Sequence, residues 1–301
     1  MMKKIVGILL CLILFGFGNL PAIAQQSSVV PFPKYQRIIS LAPSGTEILF
    51  ALGLGDQVVG VTRYCRFPPE AQQKTIIGTF LDTNFELVYR LNPDLVVLLN
   101  TEMGPKLKLE QMGFNVLMLE TNKVSDVIEA ITRIGSYCDR KAQATEITDR
   151  IKERIQDIQS KTKSSSRPRV LVTFARTLGE GNINNVYVAG TKSFFHDIIT
   201  IAGGQNAYNG LEAIASPVVS AEGVLQMNPD VIIEVLSDLK ETNLNPAEVI
   251  KDWDTLPELK AYQNKQIYIF TDDYLGISGP RITQTLDRIA RSIHPEIKWD
   301  P

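Results

Sequence analysis

The chain has 301 residues, 44% of them hydrophobic and 21% charged, with 31 basic against 33 acidic side chains. That length accommodates two domains of ordinary size, and the composition is that of a globular protein, neither disordered nor fibrous. A formal charge of −2 without a basic stripe excludes the electrostatic footprint of a nucleic-acid or membrane-surface binder.

The first 24 residues stand apart. Lys3 and Lys4 precede the apolar run IVGILLCLILFGFG, and Ala22-Ile23-Ala24 offers a small-x-small cleavage site before Gln25. That is the plan of a secretory signal, so export, cleavage after Ala24 and a periplasmic location are expected. The mature chain would keep 29 basic and 33 acidic side chains and two cysteines, Cys65 and Cys138. An oxidising compartment would allow those two to pair as a disulfide, and two buried thiols are the alternative that spacing leaves open.

Arg37–Ala42 (RIISLA) reads as a short strand, Pro43-Ser44-Gly45 as a turn, and residues 46–52 as a helix with Ser44 or Thr46 as its N-cap. Further apolar runs at 58–61, 76–77, 95–99 and 116–119 read as strands separated by helical or turn-rich stretches. This alternation predicts a mostly parallel sheet with helices on its faces. From Val124 to about Lys163, isoleucines and valines recur at helical spacing between charged residues, which predicts a connecting helix over 123–163, with Gly135–Asp139 as the place where it could break. The alternation then restarts, with strands at 169–173, 186–188, 231–235 and 267–270, a helix at 194–201 and a terminal helix at 280–293. The expected architecture is α/β: an N-terminal lobe over 36–122, the connecting helix, and a C-terminal lobe over 167–301. Both lobes are Rossmann-like, and a ligand cleft lies between them.

One segment is said twice. Residues 85–97 (FELVYRLNPDLVV) and 221–233 (AEGVLQMNPDVII) share Asn-Pro-Asp before an apolar run and a glutamate six positions before the Asn. Asn and Pro end a helix before a strand begins. That accounts for the Asn-Pro-Asp and leaves Glu86 and Glu222 unexplained.

Catalytic signatures are missing: there are two histidines, no Gly-x-Ser-x-Gly, no HExxH and no CxxC. In open α/β sheets ligands meet the loops at the carboxyl ends of the strands. Those positions hold Pro43, Ser44, Tyr64, Phe80, Phe174, Arg176 and Tyr274, a set of aromatics, hydroxyls and a guanidinium suited to a sizeable ligand with polar edges. A secreted enzyme using Ser44 or Asp273 is the alternative from a different class.

The leader, the phrase RIISLAPSGTEILFALGLGDQVVGVTRYCRFPPEA, the two Glu-x5-Asn-Pro-Asp segments, GTKSFFHDIITIAGGQNAY and Gly279-Pro280-Arg281 together resemble the periplasmic binding proteins for cobalamin and iron complexes that serve ABC importers. The resemblance covers nearly the whole mature chain. It implies two α/β lobes joined by one rigid helix, a monomeric protein without catalysis or a resident cofactor, and a ligand that itself carries cobalt or iron. It also implies that Glu86 and Glu222, one per lobe, dock onto a permease dimer. Tyr64 and Phe80 match cleft aromatics of the cobalamin binders. Arg176, Tyr274 and Arg281 are residues that a ferric siderophore would favour, and Tyr64 is a residue that haem iron would favour. A corrinoid is the expected ligand, with a ferric siderophore or haem as the alternative.

Overall fold

The computed structural model describes residues 34–79, 82–101, 103–210 and 214–300. The expected signal segment and Phe80 lie outside them. The first lobe comprises β1 (Ile38–Ser40), α1 (Pro43–Ala51), β2 (Val58–Val61), β3 (Thr75–Ile76), α2 (Phe85–Leu91), β4 (Leu95–Leu99), α3 (Met103–Gln111) and β5 (Val116–Leu119). Its five strands form one parallel sheet in the order β3-β2-β1-β4-β5. Alternate residues face opposite sides of a strand, and both sides are buried here. Ile38, Leu95 and Val97 enter a core shared with the second lobe, while Ile39, Val96 and Leu98 pack into a separate outer cluster. That two-sided burial explains why these strands read as continuous apolar runs.

The second lobe comprises β6 (Arg169–Ala175), β7 (Asn185–Val188), α6 (Phe194–Ile201), β8 (Gln205–Asn206), β9 (Val218–Ser220), α7 (Ala221–Met227), β10 (Val231–Val235), α8 (Pro246–Lys251), α9 (Lys260–Gln263), β11 (Ile267–Phe270) and α10 (Ile282–Ile293). Its sheet runs β11-β10-β6-β7-β9, with β8 also on β6. β6, β8, β10 and β11 pair in parallel, whereas β7 and β9 are antiparallel additions. The same two-sidedness recurs: Val170, Val172 and Ile233 face the shared core, and Leu171 and Ile232 face an outer cluster with Trp253.

The connecting segment departs from the expected helix over 123–163. It folds as α4 (Val124–Tyr137) and α5 (Lys141–Thr162), separated by Cys138, Asp139 and Arg140, with Asp139 at φ 56°. Gly135 permits the reversal, because a Cβ there would lie 2.4 Å from the Ala144 Cβ. The long helix that joins the lobes is therefore α5, 22 residues or about 33 Å at 1.5 Å per residue. Arg154 on α5 pairs with Asp287 on α10 at 2.5 Å, and the Val124 amide at the start of α4 donates to Asp197 of α6 at 3.1 Å. Both helices are thus fastened to the second lobe while their isoleucines fill the shared core.

The repeated segments fold alike. α2 is capped by Asn84 and α7 by Ser220, each side chain accepting an amide of the first turn, and both helices end on a left-handed asparagine, Asn92 (φ 44°) and Asn228 (φ 39°). The aspartates have a further job that sequence reading missed. Asp94 accepts from the amides of Gln36 and Arg37 (2.7 and 3.0 Å), and Asp230 accepts from that of Arg169 (2.9 Å). Arg37 and Arg169 in turn donate to the last carbonyls of the two helices, Leu91 and Met227. A guanidinium at a helix C-terminus also meets the negative end of its dipole. The first helix begins otherwise than expected: Pro43 occupies N1 with its φ already helical, no side chain caps it, and Thr46 Oγ1 instead lies 2.8 Å from Ser40 Oγ.

Candidate functional site

Parallel strands deliver their following loops to one end of each sheet, and the two lobes turn those ends toward a common cleft. A central compartment of about 170 Å³ is lined by Pro43, Glu47, Tyr64, Arg66 and Phe67 from the first lobe and by Ser237, Asp238, Asp273, Ile277 and Arg281 from the second. Three compartments adjoin it through shared residues. One of about 450 Å³ shares Glu47, Phe67 and Arg281. Another of about 260 Å³ shares Pro43 and Ile277 and adds Ser44 and Thr101. The last, about 160 Å³, shares Ser237 and Asp238 and adds Phe174 and Leu178.

The residues expected at the site divide accordingly. Pro43, Tyr64 and Arg281 meet in the central compartment, with Tyr64 47% exposed. Ser44 and Phe174 line adjoining compartments, Phe174 stacked on Phe195 at 6.5 Å. Tyr274 is half-buried against the shared core, 5.8 Å from the Arg281 guanidinium carbon, and burial raises its phenol. Arg176 is a correction. Its side chain is 2% exposed and turns into its own lobe, where it pairs with Glu234 at 3.1 Å and Asp252 at 2.6 Å. Trp253 also donates to Glu234, and Asp252 accepts from the amides of Gly179 and Gly181. Two buried carboxylates draw the guanidinium inward, so a strand-end position alone misassigned it. Of the two states open to the cysteines, the structure has the buried thiols: Cys65 and Cys138 are free. Cys65 Sγ is held in the first lobe by the hydroxyls of Thr46 at 3.1 Å and Thr62 at 3.3 Å, and burial pushes both thiols up, Cys138 to about 11.

Glu47 is the main residue that sequence reading missed. It lies on the apolar helix α1, 4% exposed, and crosses the cleft to Arg281, with Nη2–Oε1 at 2.6 Å and Nε–Oε2 at 3.0 Å. Arg281 also donates to Asp273 at 2.9 Å and lies 3.9 Å above the Phe67 ring. Burial pushes the Glu47 carboxyl above its ordinary value, against the opposing pull of Arg281. The signal was available: an acid directly before the apolar run ILFAL of a short helix needs a counter-charge once it is buried. A second ion pair crosses the cleft in the opposite sense, from Arg66 of the first lobe to Glu241 (2.9 Å) and Asp238 (3.6 Å) of the second.

Glu86 and Glu222 are exposed, each in the first turn of its helix. Both stand at the cleft end of their lobe. The Asn84 amide donates to the Ile77 carbonyl just past β3, and Ser220 pairs with Asn185, beyond the carboxyl end of β6. A hydrogen bond with Ser220 holds the Glu222 carboxyl below its usual range. Among the described residues no three His, Cys, Asp or Glu side chains converge to hold a metal ion, and no helix is long and apolar enough to cross a membrane.

Known proteins share this plan. The chain is 28% identical over 277 residues to an uncharacterized ABC transporter substrate-binding lipoprotein of Bacillus subtilis (YvrC), covering 90% of this chain and 83% of that protein. It is 27% identical over 265 residues to a vitamin B12-binding protein of Vibrio cholerae, covering 86% and 89%. The crystal structure of a possible iron-binding (periplasmic solute-binding) protein from Staphylococcus epidermidis superposes with a TM-score of 0.72 at 26% identity, covering 86% of this chain and 99% of that one. A family model described as periplasmic binding protein matches residues 38–274, from the first strand to the turn that carries Asp273. The chain therefore belongs to the periplasmic binding protein family, a family of substrate-binding proteins.

Proposed function

We propose that this protein is the exported, signal-cleaved binding component of an ABC importer, and that it holds a corrinoid between its lobes. The observation that carries the ligand class is the charge balance of the cleft. Three carboxylates (Glu47, Asp238, Asp273) and two guanidinium groups (Arg66, Arg281) line its centre, already paired with one another, Glu47 and Asp238 across the lobes and Asp273 within the second. A corrinoid presents neutral amides that donate to such carboxylates and accept from such guanidinium groups, while Tyr64 and Phe67 offer apolar faces to its ring. A polyanionic ferric catecholate would meet a slightly negative wall. The vitamin B12-binding relative supports the same reading. Haem or another iron chelate is the second reading, favoured by the exposed Tyr64 phenol as an iron ligand and by the possible iron-binding relative.

Titration of the mature protein with cyanocobalamin, haemin and a ferric catecholate, followed by calorimetry and visible absorbance, separates the readings. Saturable binding of cyanocobalamin alone is expected. Haemin binding with an iron–phenolate absorption band that disappears in Tyr64→Phe would replace the corrinoid by haem.

Glu86 and Glu222 present one negative charge per lobe at the cleft end, where a two-fold permease would meet both while receiving the ligand. Exposed ion pairs contribute about 0–1 kcal/mol each, so their part is register and orientation more than affinity. The double variant Glu86→Lys with Glu222→Lys is expected to abolish uptake in cells while leaving ligand affinity within about twofold. Retained uptake would reduce both glutamates to solvated helix surface.

A further inference from the structure

The cleft is divided. Its central compartment is about 170 Å³ and the adjoining one that shares Glu47 and Arg281 about 450 Å³, and pockets that take drug-sized ligands run to roughly 300–1,000 Å³, so the central compartment is too small by itself. A ligand that fills the central compartment together with a neighbour must displace the side chains that stand between them. The two ion pairs that cross the cleft are those partitions. Glu47 and Arg281 stand between the central compartment and the adjoining one that shares them, and Asp238, a partner of Arg66, stands between the central one and that of Phe174.

These partitions differ in how easily they open. The Glu47–Arg281 side chains are 3% and 11% exposed, and separating them would leave a buried carboxylate without its counter-ion. The Arg66, Asp238 and Glu241 side chains are 53%, 74% and 60% exposed. Water replaces such a partner at little cost, and salt near 1 M, where the screening length falls to about 3 Å, weakens it further.

We propose that the Arg66–Asp238/Glu241 bridge is a releasable gate at the solvent edge of the cleft, and that the Glu47–Arg281 pair is the fixed strut about which the lobes open. The inference rests on the cleft being the ligand site and goes further by naming which contact yields when the ligand enters. Opening is confined to the gate side, because the strut keeps α1 tied to the Asp273–Arg281 segment.

The test reads lobe separation without ligand, so that it does not depend on the identity of the ligand. Spin labels on Gln73→Cys and Lys240→Cys, two exposed positions flanking the gate, report the inter-lobe distance, since Cys65 and Cys138 are buried from the reagent. Arg66→Ala is expected to raise the long-distance population about fivefold, the equivalent of ~1 kcal/mol, and high salt to do the same to the parent protein. The exchanged pair Arg66→Glu with Glu241→Arg is expected to restore the parental distribution. An unchanged distribution in a folded Arg66→Ala protein overturns the gate, and so does failure of the exchanged pair to restore it. Cyanocobalamin added afterwards is expected to associate faster with Arg66→Ala. Lack of any cyanocobalamin binding would bear on the corrinoid reading alone.

Discussion

Arg176 and Arg281 follow the same sequence logic, guanidinium groups at or beyond the carboxyl end of a second-lobe strand, and the fold uses them in opposite ways. Arg176 turns inward and neutralises two carboxylates of its own lobe, Glu234 and Asp252, which are 0% and 1% exposed. Arg281 turns outward and neutralises a carboxylate of the other lobe, Glu47. The first stabilises a lobe; the second sets the relation between lobes. A charged residue near a ligand cleft therefore identifies the binding surface only once its counter-ion is known.

The largest expected effect breaks the inward case. Arg176→Met leaves two buried carboxylates without a partner, a situation that costs about 3–5 kcal/mol. Chemical denaturation of the mature protein should show a correspondingly lower midpoint, and a loss below about 1 kcal/mol would contradict the buried network.

Arg281→Met should cost less, about 1–3 kcal/mol, because Glu47 can take up a proton. Its folded carboxyl already lies above the ordinary value of 4.5 through burial, and removal of the guanidinium raises it further. A raised folded pKa favours the folded state in acid and loses that contribution as pH rises. The penalty of Arg281→Met should therefore be small below pH 4.5 and grow toward neutrality, as stability measured across pH will show.

Asp252 sharpens the comparison by having the opposite sign. Burial raises its carboxyl, but the hydrogen bonds from Arg176, Gly179 and Gly181 outweigh this and hold it below the ordinary 3.8. A depressed folded pKa contributes stability above pH 3.8 that is lost as pH falls through the folded value. Asp252→Asn should cost about 1–3 kcal/mol at neutral pH, and the difference from the parent protein should shrink in acid. A penalty that grows in acid would contradict this assignment.

Much of the fold was legible because its signals are local. Each short apolar run between turn residues became a strand, and Asn-Pro-Asp ended two helices as read. The role of the aspartates was hidden because their partners, the amides at residues 36, 37 and 169, lie about 60 residues away in the chain. The connecting helix was overextended for a related reason. Isoleucines resume helical spacing at Ile147 and Ile151 after Ile131 and Ile134, and although Gly135–Asp139 marked where a break could fall, only the packing of α4 on α5, with Gly135 against Ala144, reveals the reversal. Of the expected cleft residues, Pro43, Ser44, Tyr64, Phe174 and Arg281 do line the cleft, since topology alone carries strand ends there.

By itself the sequence determined two α/β lobes, the repeated helix end, and one glutamate at the same place in each repeat, because periodicity and turn chemistry act over a few residues. Only the tertiary structure decided which charges neutralise which. Electrostatic pairing depends on distance in space and on burial, and the Glu47–Arg281 pair joins residues 234 positions apart in the chain.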